Sequence, residues 1–385
     1  MTSELTTLHG LRGAPELLAA VSRATGSEFA IQRTLRDEYD AGLVRAALSL
    51  HEVRIRANGV LPHAEQLWLT RTGLEQTTHP VVAAHKARRF PATVPVLDLC
   101  CGIGGDAAAL ARRGPVTVLD HDEAMIERCK WNLTVWGCPA PRTIVADANN
   151  VSVAGEMIHV DPDRRRSRSR PTKRLEQYIP GLTWMQAATR VAAGGAIKLG
   201  PAGNFMQKFP GCEIELISLH GECREATVWF GQLATVEQFR ATVLPSGESI
   251  AGDPLGVWSK VAAQPGQFLL DPDPAVVRSG LLDVVCERLN LQRLDDEEEY
   301  LTSDKHPESP FVTAFEVIAM LPNNRKRLCQ FLRSEPALYY EIKCRHIAVD
   351  AASVGRKLPR GGTQPRVIFF LRVQGKTQIV VARRL

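Results

Sequence analysis

Acidic residues recur at the ends of short apolar segments in the middle of the chain. Asp98, Asp120 and Asp147 each lie at, or beside, the end of such a segment. If the segments are parallel strands, their carboxyl ends share one edge of a sheet, and doubly wound sheets bind ligands at this edge. The three carboxylates are therefore candidates for a single ligand site.

The first of these segments continues into a glycine-rich loop with the sequence Asp98-Leu-Cys-Cys-Gly-Ile-Gly-Gly-Asp106. Glycines directly after a strand let a ligand approach the backbone closely, because no Cβ atom stands in the way. We expect Cys100, Gly102 and Gly104 to hold this ligand. The spacing Gly102-x-Gly104-x-x-Ala107 also fits the loose dinucleotide fingerprint, so the loop alone leaves a nicotinamide or flavin enzyme open.

The positions of the three aspartates separate the two kinds of cofactor. Asp98 can receive an ammonium group, and Asp120 can accept hydrogen bonds from both hydroxyls of a ribose. Asp147, with Ala148 beside it, is placed for the edge of an adenine. A dinucleotide-binding fold predicts the second acid but not the first or the third. The pattern favours S-adenosylmethionine, with three unrelated strand-end aspartates as the alternative.

A further apolar segment ends in the sequence His159-Val-Asp161-Pro-Asp-Arg164. Methyl transfer from a sulfonium is an in-line displacement, so its catalysis consists mostly of positioning. A carboxylate or backbone carbonyl here could accept from an exocyclic amine and favour the charge that its nitrogen develops. Asp161-Pro162 resembles the start of the (Asp/Asn)-Pro-Pro-aromatic motif of amino-methylating class I methyltransferases, in which this position faces the methyl group. The resemblance implies that Asp161 and Pro162 are catalytic residues, and a plain turn-forming role for Asp161 stays open.

Cysteine usage argues against two other kinds of chemistry. The nine cysteines form no Cys-x-x-Cys pair and no Cys/His cluster, so no metal site is expected. Carbon-5 methylation of a pyrimidine needs a cysteine nucleophile near the substrate. No cysteine lies between Cys138 and Cys212, and Cys100 and Cys101 are interpreted as small space-filling residues of the glycine loop.

A basic segment directly follows Asp163. It holds seven cations in eleven residues: Arg164, Arg165, Arg166, Arg168, Arg170, Lys173 and Arg174. Cations beside a substrate site can neutralise phosphates and release counterions, which favours contact with nucleic acid. No aromatic residues alternate with them, so contact with the backbone is expected rather than stacking on bases. A solvated loop is the alternative.

Alternating strands and helices must position these residues. Short apolar segments alternate with helical ones beyond about residue 91, which is typical of an α/β fold with a parallel sheet. Seven strands are predicted, at 94–99, 116–119, 143–146, 157–160, 196–199, 213–219 and 227–230. The short link between the last two suits an antiparallel hairpin.

The chain divides into four predicted regions. Residues 1–90 are expected to be helical, with one helical face formed by Ile31, Leu35, Tyr39 and Leu43 and a helix beginning at Pro80. The α/β domain covers 91–235. Residues 236–275 are rich in glycine, proline and serine and are predicted to be a linker with little regular structure. Residues 276–385 are expected to end in a small α/β module.

Composition and charge set further limits. With 44% hydrophobic and 23% charged residues, the chain is typical of globular proteins. Its longest apolar stretches are strand-sized and residues 1–9 lack a signal-peptide pattern, so we expect no membrane span and a cytoplasmic location. Residues 341–385 hold ten Lys or Arg against two acids, a net charge of +8. The overall charge of +5 is therefore concentrated in this tail.

With these motifs identified, the sequence resembles bacterial class I (Rossmann-like) methyltransferases that carry a C-terminal THUMP-like domain. The resemblance covers nearly the whole chain and rests on six segments: 72–76, 98–106, 161–164, 300–304, 309–311 and 341–345. It implies a doubly wound seven-stranded sheet. The core is also similar to trimethylguanosine synthase, but Asp163-Arg164 replaces the Pro-aromatic pair of amino-methylating enzymes. Guanine-N2 specificity is therefore not implied.

The family name also implies an RNA substrate, tRNA or rRNA. Arg164, Arg165 and Arg166 at the substrate edge, with Lys343 and Arg345 in the tail, are then the predicted RNA contacts. Two alternatives stay open: a small-molecule methyltransferase with a merely solvated arginine loop, and an RNA-binding protein built on a degenerate methyltransferase scaffold. The sequence gives no oligomeric state.

Overall fold

The computed structural model describes residues 3–164 and 172–385. Two compact units can be distinguished. The first unit comprises residues 1–212 and 227–235, and the second comprises 213–226 and 236–385. Among the helices of the described ranges, none is long and apolar enough to cross a membrane.

The first unit begins with six α-helices: α1 Glu4–Arg12, α2 Pro15–Arg23, α3 Glu28–Leu35, α4 Ala41–Ala57, α5 Arg71–Gln76 and α6 Pro80–Ala87. The helix predicted from Pro80 is confirmed, and the ring of His79 caps it by accepting from Val81 N at 3.2 Å. The continuous helical face from Ile31 to Leu43 is wrong. Helix α3 ends at Leu35, and Asp40 starts the separate helix α4 as an N-cap, because its carboxylate accepts from the backbone N–H of Gly42 at 2.7 Å.

Five parallel strands lie side by side in the sheet that follows, which has nine strands in the described residues and not the seven predicted. They are β1 Val96–Leu99, β2 Val116–Asp120, β3 Arg142–Val145, β4 Met157–Val160 and β5 Gly194–Leu199. Between them lie α7 Gly105–Ala111, α8 Glu123–Val135 and α9 Leu182–Val191. The strand order is β3-β2-β1-β4-β5. Strands β2 and β3 lie on one side of β1, and β4 and β5 lie on its other side. This order confirms the doubly wound α/β fold.

Burial explains why these segments become strands and helices. Every residue of β1 and β4 is buried, which is the pattern of strands covered on both faces. Alanines of α7 allow this helix to pack closely within a core that includes Ala107, Leu110, Val118 and Trp229. The glycine-rich loop is thereby held between β1 and α7.

The second unit contains the strand predicted at 213–219 and several more, while the strand predicted at 227–230 lies in the first unit. Its elements, in chain order, are β6 Glu213–Leu219, β7 Glu222–Gly231 (shared with the first unit), β8 Phe239–Leu244, β9 Glu248–Gly252, β10 Phe268–Pro272, α10 Pro274–Ser279, α11 Leu282–Leu289, β11 Gln292–Arg293, β12 Leu301–Ser303, β13 Val312–Pro322, α12 Arg325–Ser334, β14 Tyr340–Cys344, α13 Ala351–Gly355, β15 Arg366–Val373 and β16 Lys376–Arg384.

The expectation of little regular structure across residues 236–275 is wrong, because β8, β9 and β10 lie there. Phe239, Ala241 and Val243 alternate along β8 and are buried. The glycine, proline and serine residues that suggested a linker include Pro245-Ser-Gly247, which only forms the turn between β8 and β9. The glycine, proline and serine residues of the turns between these short strands give the segment the composition of a linker.

The C-terminal module is a seven-stranded sheet with the order β11-β12-β10-β13-β16-β15-β14. One face of β15 and β16 packs into a core with Phe315 and Phe369. The opposite face packs against α12 and α13 through Leu328, Leu332 and Val354. Strands β15 and β16 are thus inner strands of this sheet, covered on both faces.

Candidate active site

A cavity of about 450 Å³ lies at the carboxyl ends of β1, β2 and β4 in the first unit. Most of the predicted site residues share its wall: Asp98, Cys100, Gly102, Asp120, Asp147, Ala148, Asp161, Pro162 and Arg164. Gly104 is not on this wall. The topology therefore brings both the proposed cofactor residues and the proposed substrate residues to one site.

The glycine-rich loop takes a backbone path that only small or tolerant residues permit. Cys100, Gly102 and Gly104 have φ angles of 60°, 54° and 92°, in the left-handed region. A Cβ atom at Gly104 would lie 2.9 Å from Cys129 Sγ on α8. Gly104 is thus required for close packing of the loop on α8.

Asp120 holds the loop from the end of β2. Its Oδ2 accepts from Gly102 N and its Oδ1 accepts from Asp122 N, both at 3.1 Å. Burial raises the pKa of Asp120, and these backbone hydrogen bonds oppose the rise. Each carboxylate oxygen has a second lone pair, so Asp120 can both shape the loop and accept from ribose hydroxyls at the cavity wall.

Asp98 carries a buried carboxylate with one oxygen still available. It lies opposite His159 in the parallel register of β1 and β4, and its Oδ1 is 2.7 Å from His159 Nδ1. Its Oδ2 is buried and has no hydrogen-bond partner in the described part of the chain. A buried acceptor of this kind calls for a donor. An ammonium group in the cavity would supply one.

Behind Asp98 lies a buried polar network that the sequence analysis missed. Lys86 Nζ on α6 is 2.9 Å from Asp106 Oδ1 and 3.4 Å from His159 Nε2. Thr78 donates to Asp106 Oδ2 at 2.5 Å. Burial opposes ionisation of Asp106, but Lys86 and His159 outweigh it and hold the pKa of Asp106 well below its usual range. The sequence did contain one sign of this network: Lys86 lies in the mostly apolar sequence of α6.

Asp147 and Ala148 lie next to each other on the cavity wall. Asp147 is exposed and starts a short 3₁₀ helix, Ala148–Asn150, by accepting from Asn149 N at 2.8 Å. This backbone bond, with a second from the Asn149 side chain, lowers the pKa of Asp147. Ala148 is buried. A flat ring could therefore lie against Ala148 with its edge towards Asp147.

Asp161 is held by a lysine on the neighbouring strand. Lys198 Nζ on β5 donates to Asp161 Oδ2 at 2.7 Å and to the carbonyl oxygen of Gln76 at 2.9 Å. The side chain of Gln76 in turn donates to Asp163 Oδ1 at 2.9 Å. The C-terminal end of α5 thereby contacts Asp163 directly and is linked to Asp161 through Lys198. Asp161 keeps a quarter of its side chain exposed at the cavity.

Asp163 joins the loop after β4 to Ile179 through two backbone hydrogen bonds. Asp163 N donates to the carbonyl oxygen of Ile179 at 2.8 Å, and Ile179 N returns a bond of 3.0 Å. Arg164 reaches the cavity wall. Arg165 and Arg166 lie outside the described residues, while Lys173 and Arg174 are exposed.

The two predicted tail contacts are both in ion pairs. Lys343 Nζ is 2.8 Å from Asp271 Oδ2 and Arg345 is 2.8 Å from Asp271 Oδ1, while Arg345 also pairs with Glu299. Glu299 and Asp271 precede the tail by many residues, so sequence spacing gave no sign of these pairs. The role of Lys343 and Arg345 in RNA contact stays a prediction.

The N-terminal helical region supports the glycine loop through one asparagine. The Asn132 side chain on α8 donates to Ile103 O at 2.9 Å and to Trp68 O at 3.1 Å, and it accepts from Trp68 N at 2.7 Å. Asn132 is fully buried. Its amide therefore joins the segment before α5 to the loop that follows β1.

Other catalytic groups are not supported by this geometry. Burial, and next to it the Asp120 carboxylate, raise the pKa of the Cys100 thiol well above its usual value, which disfavours a thiolate nucleophile. In the ranges 3–164 and 172–385, no group of three or more His, Cys, Asp or Glu side chains is placed to hold a metal ion.

Comparison with known proteins identifies the family. Residues 96–160 match the family described as a methyltransferase domain, and residues 312–384 match one described as THUMP domain-like. Two relatives from Mycobacterium tuberculosis, strains H37Rv and CDC 1551, are named as S-adenosylmethionine-dependent methyltransferases. Each is 34% identical over 313 residues, covering 80% of this chain and 85% of the relative.

The chain belongs to these S-adenosylmethionine-dependent methyltransferases. This settles the open choice of cofactor in favour of S-adenosylmethionine over a dinucleotide. The fold agrees: a crystal structure described as a methyltransferase from Porphyromonas gingivalis W83 superposes with a TM-score of 0.78 at 18% identity, covering 100% of this chain and 99% of that one. The methyltransferase and THUMP-like parts are both present, as the sequence predicted.

The cavity of this methyltransferase fits the cofactor. The unpartnered Oδ2 of Asp98 suits the ammonium group, the carboxylate of Asp120 suits the ribose hydroxyls, and the Ala148 wall suits the adenine. The volume of about 450 Å³ is within the range of small-molecule and cofactor sites.

Proposed function

We propose that this methyltransferase modifies RNA, namely a base of tRNA or rRNA, at an exocyclic amine held by Asp161 and Pro162. The observation that carries the proposal is the position of Asp161. Its carboxylate lies on the same cavity wall as Asp98 and Asp120 and is fixed on one side by Lys198. A substrate group that contacts Asp161 would then lie beside the cofactor.

The chemistry needs little from the protein beyond this placement. When bound, S-adenosylmethionine supplies a methyl group on a positively charged sulfur. The new bond from the acceptor nitrogen to the methyl carbon would replace the carbon–sulfur bond, and the proton lost by the nitrogen would pass to the Asp161 carboxylate or to water. Asp161 would accept a hydrogen bond from the amine, hold its nitrogen on line and favour the positive charge that develops there.

The assignment of RNA rests on charge beside the cavity. Arg164 lies on the wall, and the basic segment continues from it through Arg165 and Arg166 to the exposed Lys173 and Arg174. Guanidinium groups at this position would contact phosphates while a base enters the cavity. A small-molecule substrate would have no need for several cations outside the cavity.

The test is methyl transfer from labelled cofactor to RNA from cells that lack the gene, followed by mass spectrometry of the nucleosides. We expect one methylated nucleoside to form with the wild-type protein. Asp161→Asn should reduce turnover at least about 100-fold, a typical effect of losing one electrostatic contact to a transition state. Its affinity for S-adenosylhomocysteine, measured by calorimetry, should stay within about threefold of wild type.

Asp253→Asn is the matched control, because Asp253 lies in the second unit and bonds only to the backbone of a turn. It should retain full turnover. If Asp161→Asn retains it as well, Asp161 is not the acceptor-binding residue. If no RNA fraction is methylated while small amines are, the substrate assignment is wrong.

A further inference from the structure

Two sets of cations in the second unit have different surroundings. One set is paired with acids: Lys343 and Arg345 with Asp271, Arg366 with Glu335, Arg372 with Glu297, Arg383 with Glu316, and Arg384 with Glu341. These pairs neutralise much of the tail's charge. Because of these ion pairs, these cations attract a polyanion less strongly than the net charge of the tail suggests.

The other set is exposed, and no ion pair involves it within the part of the chain that the structure describes. We name it the basic face, and its members are Arg325, Lys326, Arg327 and Arg333 on α12 and Arg356, Lys357 and Arg360 beyond α13. The ten residues of α12 include no acid. Nothing on this helix offsets its charge.

Packing places the two halves of the basic face on one surface. Leu328 and Leu332 of α12 share a core with Val354 and Leu358, which belong to α13 and the residues just after it. This core covers a single face of β15 and β16. Both helices therefore lie side by side on the same face of the sheet, with their polar sides turned outwards.

A direct contact sets the distance between the halves. Cys329 Sγ on α12 is 4.0 Å from the carbonyl oxygen of Lys357. Arg325 and Arg333 lie four residues before and after Cys329, so they share its side of the helix. Arg325, Arg333 and Lys357 therefore belong to one continuous positive surface.

We propose that the basic face binds the phosphodiester backbone of a folded RNA. This inference rests on the proposed function, because it adds a second contact for the same substrate in the C-terminal module. Several adjacent cations, with no acid among the ten residues of α12, match a chain of phosphates, whose neutralisation releases counterions. The absence of aromatic residues from the face favours backbone contact over base recognition.

A membrane surface is the other polyanion that a basic helix can bind, but α12 is unsuited to it. Interfacial helices insert an apolar face between lipids. Leu328 and Leu332, which form the apolar side of α12, are both 0% exposed because they pack on the sheet. Only charges remain for an external partner.

The test measures binding of bulk folded tRNA to the full chain over a salt series from about 50 to 200 mM. The variant carries Arg325→Glu, Lys326→Glu and Arg327→Glu. These residues occupy the first turn of α12, where acids interact favourably with the helix dipole, so the helix should persist. We expect RNA affinity to fall at least about tenfold, and the slope of log affinity against log salt to decrease by about 2 units.

A charge-matched control carries Arg23→Glu, Arg33→Glu and Arg45→Glu, three exposed positions on N-terminal helices. It should bind RNA within about threefold of wild type. Equal losses in both variants would show that only net charge matters and would overturn the proposal. Unchanged binding by the α12 variant, or binding of anionic vesicles in place of RNA, would overturn it as well.

Calorimetry with S-adenosylhomocysteine separates this inference from the proposed function. Every variant should bind the cofactor product like wild type, which verifies that the first unit is folded. If the wild type methylates RNA and the α12 variant does so with unchanged KM, only the basic face is wrong. If the wild type binds the cofactor product but neither binds nor methylates RNA, the proposed function is wrong too.

Discussion

Lys198 Nζ lies 2.7 Å from Asp161 Oδ2, and the same ammonium group donates to the backbone of α5. Lys198 is only 8% exposed, so water cannot replace these contacts if they are lost. The lysine therefore acts as a positioning residue. It fixes one oxygen of Asp161 and leaves the remainder of the carboxylate for the cavity.

Lys198→Met should lower the turnover of RNA methylation at least about tenfold while leaving affinity for S-adenosylhomocysteine within about threefold. Lys198→Arg should restore part of the loss, because a guanidinium can still donate to Asp161. Lys208→Met is the control, since it removes a lysine that pairs with Glu176 away from the cavity. Equal turnover in Lys198→Met and Lys208→Met would show that Lys198 does not position Asp161.

Asp120→Ala should weaken binding of S-adenosylhomocysteine at least tenfold, or about 1.4 kcal/mol. The variant loses an acceptor for the ribose and also releases Gly102 N, which now bonds to Oδ2. Asp40→Ala is the matched control, because Asp40 likewise accepts two backbone N–H groups but caps α4. It should cost about 1 kcal/mol of stability and leave calorimetric binding unchanged. Wild-type affinity in Asp120→Ala would refute the ribose assignment.

Gly104→Ala should destabilise the protein by about 3 kcal/mol, measured by urea denaturation. The alanine must adopt a φ of 92° and its Cβ would lie 2.9 Å from both Cys129 Sγ and Leu133 Cδ1. Gly137→Ala isolates the backbone term, because Gly137 has a φ of 67° with no atom within 4 Å of a new Cβ. That variant should lose only about 1 kcal/mol. Similar losses of stability in both variants would mean that α8 shifts to accommodate the new Cβ atom at position 104 without destabilising the protein.

His159 should make stability depend on pH. Burial lowers the pKa of its imidazole, but Asp106 and then Asp98 outweigh burial and raise it above the ordinary 6.5. A raised pKa means that the protonated form is stabilised by folding. This contribution is complete below pH 6.5 and is lost as the pH rises through the raised value.

The difference in unfolding free energy between wild type and His159→Gln should therefore be largest near pH 6 and shrink towards pH 8, roughly the range in which histidine titrates. Urea denaturation at a series of pH values measures it. Parallel pH profiles of the two proteins would show that the imidazole does not gain a proton on folding.

The sequence predicted the sheet and its carboxyl edge because strand ends follow local rules. A short apolar segment followed by glycine or aspartate can be recognised without knowing the neighbours, so Asp98, Asp120 and Asp147 could be assigned to one edge. Because the strands are parallel, these three residues lie together on the wall of one cavity. For the same reason Asp161 could be placed beside them.

Contacts between distant segments could not be predicted in this way. Lys86 and His159 meet 73 positions apart, and Lys198 meets Gln76 across 122 positions. Nothing in the spacing of these residues indicates the pairing, because it depends on how α5 and α6 pack on the sheet. Likewise, the charge of Lys343 suggested a free cation, whereas Asp271 lies beside it only in the folded chain.

The position of β16 in its sheet bears on how the C-terminal module can be made. β16 follows every other strand of that sheet in the chain, yet it lies between β13 and β15 and pairs with both. During synthesis, β13 and β15 must wait with open edges until residues 376–384 have left the ribosome. A stop codon before residue 376 would therefore leave two unpaired strand edges in the middle of the sheet and a chain prone to aggregate.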